Sequence, residues 1–389
     1  MKVGIDLLHF ATANYYLGLD TFAAEKNIDV DKFTIGIGQE KMSIAPPDED
    51  IVSLAAKAAA PILQKIDSNE ISAVLFATES GVDQSKSAGV FLHGLLNLSK
   101  RCRVVEFKHA CYAGAAALQM ATAMVRANPK EKVLVIAADI AKYDLDTSGE
   151  ATQGCGAVAM LITESPRILE IESGSGYHTD DVMDFWRPNH RTTALVDGKY
   201  STKVYLNSLK QVWEHFTEST GKKFSDIDYF CYHIPFTKMA EKAHQTLVRK
   251  AGVTLTQAEF EAQTLPGQRY NRIIGNSYSA SLFISFISLL DNLTDNIENK
   301  RVSFFSYGSG CVAEFFTGVI QPGYKAVLMT ENHKAQINNR TPLTYSEYLD
   351  FHKQMGASDE NIVFDVKNRG PFRLAGIQDH KRYYQKTEL

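Results

Sequence analysis

Two hexapeptides share the pattern Gly-x-Gly-x-Val-Ala at an offset of 154 residues: Gly154-Cys155-Gly156-Ala157-Val158-Ala159 and Gly308-Ser309-Gly310-Cys311-Val312-Ala313. Internal self-similarity constrains architecture strongly, because both copies must suit one structural unit. The same offset carries Glu79, at the end of one apolar run, onto His233, at the end of another. The apolar helical stretches after Cys111 and Asn276 also fall between corresponding runs, though about eleven residues out of register, a spacing read from sequence alone. This agreement in element order predicts a duplicated βα core.

The hydrophobic pattern fills in that outline. Short apolar runs at residues 71–78, 103–107, 132–138 and 157–163 read as strands, followed by 168–172, 227–233, 301–307 and 312–320. Between them lie helical patterns over 51–66, 112–127, 206–220, 237–251 and 278–293. The second and fifth of these are apolar nearly all round, as buried helices are. Alternation of this kind predicts an α/β fold. Pro166 interrupts the pattern and divides the chain into halves over 1–165 and 166–389. The segment from Tyr324 onward is polar, with little core signal, and is expected to wrap the second half.

Duplication sets four chemically able residues at equivalent places. Ligands in open α/β sheets bind beyond the carboxyl ends of strands, where Glu79 and His233 stand. A carboxylate following Val74-Leu75-Phe76-Ala77-Thr78 is set for desolvation, which raises its pKa towards a general acid/base; a place in the first turn of a following helix fits too. His233, before Ile234-Pro235, is placed to donate to a carbonyl, or to be a satisfied core histidine. Cys111 stands directly before the helix that starts with small residues. Helix N-termini favour thiolates, while a buried structural cysteine suits the position equally. Asn276 could be an N-cap and nothing more. Ser306-Tyr307-Gly308-Ser309-Gly310 follows a strand and offers backbone N–H groups to an oxyanion, but neither Gly-x-Gly copy extends to a dinucleotide fingerprint. Lys238 and Lys242 share a helix face, suited to phosphates or to plain solvation.

Composition excludes several classes. A net charge of −4 favours neither nucleic acid nor anionic lipid. The apolar stretch near residues 282–290 is broken by serines and too short to span a bilayer. The N-terminus lacks a signal-peptide core. Five cysteines occur singly, without a Cys-x-x-Cys pair, which argues against disulfides and zinc. The expectation is a cytoplasmic protein.

The segments around Glu79, Cys111, Asp184 to Pro188, Val196 to Lys199, His233 to Lys238 and Ser306 to Gly310 resemble, in order, the motifs of 3-hydroxy-3-methylglutaryl-CoA (HMG-CoA) synthases. Trp186 replaces the family's usual aromatic after Phe185. The resemblance implies a thiolase fold, with two duplicated βα halves in a layered αβαβα core. It implies condensation of acetyl-CoA with acetoacetyl-CoA in the mevalonate pathway of isoprenoid synthesis, by a homodimer without metal or redox cofactor. Cys111 would carry the acetyl group, with the N–H groups of Cys111 and Ser306 as oxyanion hole. Glu79 would serve as base and then acid, and His233 with Asn276 would polarise the acceptor. Tyr112, Asp139, Tyr143, Asp184, Phe185 and Tyr278 would line or order the acyl site, and Lys238 and Lys242 would meet CoA phosphates.

Three other readings compete. The HMG-synthase-like enzymes of polyketide β-branching run the same chemistry on carrier-protein substrates, and Glu79 does not separate them. Ketoacyl synthases share Cys, His and Asn on this fold but need no glutamate here. A non-catalytic thiolase-fold scaffold is disfavoured by the joint presence of Cys111, Glu79 and His233.

Overall fold

The computed structural model describes residues 1–355 and 360–387. In it the apolar runs form strands whose side chains alternate between two hydrophobic layers, as the period of a pleated strand requires. The first half contributes β1 (Val3–Ala11), helix α1 (Ile51–Leu63), β2 (Ile71–Ala77), β3 (Arg103–Phe107), helix α2 (Ala113–Ala127), β4 (Lys132–Ala141) and β5 (Gly154–Glu164). The second contributes β6 (Leu169–Thr179), helix α3 (Gly198–Thr220), β7 (Tyr229–Tyr232), helices α4 (Lys238–Ala251) and α5 (Ser281–Asn292), β8 (Arg301–Gly308) and β9 (Val312–Ile320).

The strands run β1-β5-β4-β2-β3 in the first half and β6-β9-β8-β7 in the second, so the second lacks a counterpart of β3. Where partners correspond, their directions do too: β2 lies parallel to β4, and β7 parallel to β8. A short antiparallel contact, Gly4 to Glu170 and Ile5 to Leu169, joins the two into one nine-stranded sheet.

Helices fill three layers around these half-sheets. Val74 and Phe76 of β2 pack with Leu54, Ala55 and Ala58 of α1 in one outer core. Ala73, Leu75 and Ala77 turn the other way, into a central core with Leu118 of α2, Phe283 of α5 and Phe304 of β8. Phe305 and Tyr307 of β8 face a second outer core with Leu209 and Phe216 of α3 and Leu247 of α4. The result is the αβαβα layering. The central helices meet closely: a Cβ on Gly114 would lie 2.7 Å from the Ser279 carbonyl oxygen and 2.8 Å from the Phe283 ring.

Apart from shifted element ends, such as β6 running on to Thr179 and α3 starting at Gly198, three features differ from the sequence reading. Residues 3–11 form the buried strand β1, whose Gly4, Asp6 and His9 disguise its apolar run. The helix expected from residue 278 begins with a short 3₁₀ turn, Tyr278–Ala280, before α5. The C-terminal segment packs on both halves; on the second, Thr330 and His333 bond Asp291 and Arg340 donates to the Ile273 carbonyl. On the first, Gln336 bonds the Phe10 carbonyl, Thr341 pairs with Tyr15, Tyr348 donates to Glu150, and Tyr384 donates to Asp50. Of its apolar side chains, Met329 and Phe372 enter the outer core beside α1, while Tyr324 joins the central core. Residues 356–359 and 388–389 of that segment lie outside the described residues. Among the described residues no helix is long and apolar enough to cross a membrane.

Candidate active site

Each half presents its chemistry from the same end. Glu79 follows β2, and His233 follows β7, where its N–H still donates to the Phe305 carbonyl of β8. Cys111 lies just before α2, and Asn276 lies in the turn that leads to α5. Cys111, His233 and Asn276 line one cavity of about 140 Å³, walled by Tyr143, Phe185 and Tyr278. Those three rings meet edge-on, with centroids 5.8–6.5 Å apart. Glu79 lines a larger cavity of about 610 Å³ with Lys108, Lys142 and Arg187, and Phe185 and Ser309 border both spaces.

The Cys111 thiol closes the gap between the two cavities, donating to Glu79 Oε1 at 3.0 Å. Burial pushes the thiol pKa well above its ordinary value, and the neighbouring Glu79 charge pushes it further. This overturns the expectation of a thiolate favoured by the helix start. A helix terminus contributes about 0.3–1 kcal/mol, less than one pKa unit at about 1.4 kcal/mol, and burial outweighs it. Glu79 is raised to about 8, first by burial and then by the charge of Asp139. Above about pH 8 the pair therefore holds a single proton, on the sulfur.

Asp139 shapes this corner without lining the first cavity. Its Oδ1 accepts from Thr78 Oγ1 and from the N–H groups of Glu79 and Ser80, at 2.8–2.9 Å. Its Oδ2 accepts from Ser279 N–H at 3.0 Å and from Ser279 Oγ at 2.5 Å. One buried carboxylate thus ties the end of β2 to the approach of α5. Arg187 donates to the Glu79 carbonyl from the other side. The backbone is strained at the same place: Ala110 and Tyr278 have φ of 44° and 43°, a region that non-glycine residues enter at a cost of about 1–3 kcal/mol each.

On the second half, burial lowers the His233 pKa to about 3, so the ring is neutral. Asn276 Oδ1 accepts from Tyr278 N–H at 2.9 Å, which leaves its amide N–H group to the cavity. Asp184 is buried, accepting from Tyr307 OH at 2.7 Å, Ser201 Oγ at 2.9 Å and Gly310 N–H at 2.9 Å. It anchors the loop after β8.

Three sequence expectations need correction. Tyr112 lines neither cavity; its hydroxyl turns away and donates to Glu314 at 2.9 Å. Ser306 lies inside β8, which runs one residue further than expected, to Gly308. Because the Phe305 carbonyl points to β7, the next residue's N–H points to β9, where Ser306 faces Glu314. Ser309 instead lines the cavity with Cys111, and its N–H has no acceptor among the described residues. Gly308 permits this approach, since a Cβ there would sit 2.6 Å from the His109 carbonyl oxygen and 2.8 Å from Tyr112 N. Lys238 pairs with Glu241 at 2.7 Å, which leaves Lys242 as the unpaired member, its ammonium 5.4 Å from the Phe236 ring. Phe236, Met239 and Tyr205 also line the cavity; as apolar or aromatic residues at helical spacing they carried no signal distinct from core.

A nucleophile and a carboxylate from one half, facing a histidine and an asparagine from its duplicate, are what a thiolase-fold condensing enzyme brings together for carbon–carbon bond formation. The comparisons narrow the class. The N-terminal profile of hydroxymethylglutaryl-coenzyme A synthase matches residues 1–166, and the C-terminal profile matches residues 169–251 and 244–370. The chain is 44% identical over 388 residues to the hydroxymethylglutaryl-CoA synthase of Enterococcus faecalis, covering 99% of this chain and 100% of that one. A crystal structure of HMG-CoA synthase complexed with CoA superposes with a TM-score of 0.94 at 39% identity, over 100% of both chains. A polyketide-biosynthesis 3-hydroxy-3-methylglutaryl-ACP synthase of Bacillus subtilis is 32% identical, covering 90% of this chain and 87% of its own. The chain belongs to the hydroxymethylglutaryl-CoA synthase family.

Proposed function

We propose that this enzyme condenses acetyl-CoA with acetoacetyl-CoA and water to give HMG-CoA and CoA, in the cytosol, as a supply to the mevalonate pathway. The observation that carries the reading is the 3.0 Å hydrogen bond between the Cys111 thiol and Glu79, at the wall of the cavity that also holds His233 and Asn276.

In the first step Sγ of Cys111 attacks the acetyl carbonyl while Glu79 accepts the thiol proton. The N–H groups of Cys111 and Ser309 receive the oxyanion. As the tetrahedral intermediate collapses, the C–S bond to CoA breaks and Glu79 returns the proton to the departing CoA sulfur. In the second step the Glu79 carboxylate, made more basic by burial, removes a methyl proton from acetyl-Cys111. The carbanion adds to C3 of acetoacetyl-CoA, whose ketone oxygen is held by His233 and Asn276. Protonated Glu79 then delivers its proton to the new alkoxide. In the third step water adds to the thioester, Glu79 takes its proton, and the Cys111 thiol is regenerated with release of the product carboxylate.

Tyr143, Phe185 and Tyr278 form the acyl pocket in this scheme, Asp139 and Asp184 hold its loops, and Lys242 meets the CoA phosphates. The sequence of steps needs no metal or redox cofactor. A homodimer is supported by β3, whose outer edge is open and whose Val105 is half exposed. Light scattering coupled to size exclusion tests that state.

Incubation with acetyl-CoA should add one acetyl group, mapped to Cys111, and acetoacetyl-CoA should then discharge it as HMG-CoA. Acetylation of a different cysteine, or full turnover by Cys111→Ala, would refute the assignment. The 32% relative keeps the carrier-protein reading in view. Acetyl-enzyme offered acetoacetyl groups on CoA and on carrier protein separates the two by which acceptor discharges it faster.

A further inference from the structure

We infer that Ser281 is a positioning residue that fixes His233 as the tautomer protonated on Nε2. The inference rests on the reading of His233 as the donor to the acceptor ketone.

Ser281 opens α5 and is fully buried. Its Oγ accepts from the Ile234 N–H at 3.0 Å and lies 2.8 Å from His233 Nδ1. A hydroxyl has a single proton to donate, and this one has no other acceptor among the described residues. It is therefore directed at Nδ1. A neutral imidazole that accepts at one nitrogen carries its proton on the other. Nε2 then presents an N–H to the cavity beside the amide N–H group of Asn276, so that two donors serve one substrate oxygen. With the proton on Nδ1, the serine proton would be orphaned in the core. Nε2 would then point a lone pair at the carbonyl it has to hold. The serine comes from α5 and the histidine from the end of β7, so this one contact also couples the acceptor site to the start of the central helix.

The tautomer can be read on the free enzyme, independently of turnover. In protein labelled with ¹⁵N-histidine, the His233 signals are those lost in His233→Ala. Wild type should show a protonated Nε2 and an unprotonated, hydrogen-bonded Nδ1, and Ser281→Ala should shift population towards protonated Nδ1. In Ser281→Ala, acetylation of Cys111 should persist within about twofold while kcat/KM for acetoacetyl-CoA falls about 10- to 100-fold, the lower range for loss of a positioned group. Ser281→Thr, which keeps the hydroxyl, should recover the wild-type tautomer and most of that loss. Protonated Nδ1 in wild type overturns the inference, as does Ser281→Ala with an unchanged tautomer. Because the spectrum needs no substrate, it stands even if the condensation reading fails; that reading is tested separately by the acetyl-Cys111 adduct.

Discussion

Replacing Glu79 by glutamine should make Cys111 easier to alkylate while nearly abolishing condensation, a pairing that tests the electrostatics of the site directly. Glutamine keeps the size of the side chain and the burial of the thiol, which is the leading cause of its raised pKa. It removes the charge that comes next. If thiolate and carboxylate were both ionised at the observed 3.0 Å, their repulsion at an effective dielectric of ~20 would be about 5.5 kcal/mol. Relaxation and water reduce that figure, yet a quarter of it still corresponds to about tenfold in thiolate population. At pH 9 Glu79, raised to about 8, is mostly ionised in wild type. Iodoacetamide should therefore modify Cys111 at least about tenfold faster in Glu79→Gln, followed by peptide mapping under pseudo-first-order conditions. Condensation should drop by about a hundred- to ten-thousand-fold, the usual contribution of a general acid–base group, because the amide cannot take the methyl proton. Equal or slower alkylation would show that the Glu79 charge does not hold the thiol up. Near-normal condensation would remove Glu79 from the chemistry.

Other outcomes follow from the same geometry. His9 and His233 are held at about 3 and His244 at about 4, all chiefly by burial. Their folded pKa values lie below the unfolded value, so the stability they allow is full above about pH 6.5 and is lost as pH falls towards 4, by about 1.4 kcal/mol per pH unit for each histidine. Thermal melts between pH 7 and 4 should show that decline, with a shallower slope in His9→Gln. Gly308→Ala forces a Cβ against the His109 carbonyl and should lower acetylation more than tenfold with little change in Tm, since it displaces the loop that carries Ser309. Lys242→Ala should raise KM for CoA thioesters and weaken its salt dependence, leaving truncated thioesters without the nucleotide unaffected. Phe283→Ala, in the central layer, should cost about 3–5 kcal/mol in a denaturant titration.

Much of the architecture could be read from the chain because it rests on local periodicity. The runs at 71–78 and 301–307 alternate between layers, and the helix after Cys111 is small and apolar because it lies between two sheets. What misled was context. The run at 3–11 carries polar letters that only its neighbours satisfy, and Ser306 was displaced from its expected part because its N–H points across the sheet to β9. The C-terminal segment has too little apolar surface to declare which half it covers; its polar side chains found partners on both.

By itself the sequence determined the duplication, the burial of the helices after Cys111 and Asn276, and the positions of Glu79, Cys111, His233 and Asn276 at strand ends and helix starts. All of these follow from residue spacing along the chain. Tertiary structure alone decided that the thiol faces Glu79 and is held protonated, that Ser309 lines the cavity in place of Ser306, that Tyr112 turns to Glu314, and that Ser281 stands behind His233. Each of these depends on burial and on a partner from a distant part of the chain. Desolvation and a single hydrogen bond across the sheets outweigh what any local pattern can express.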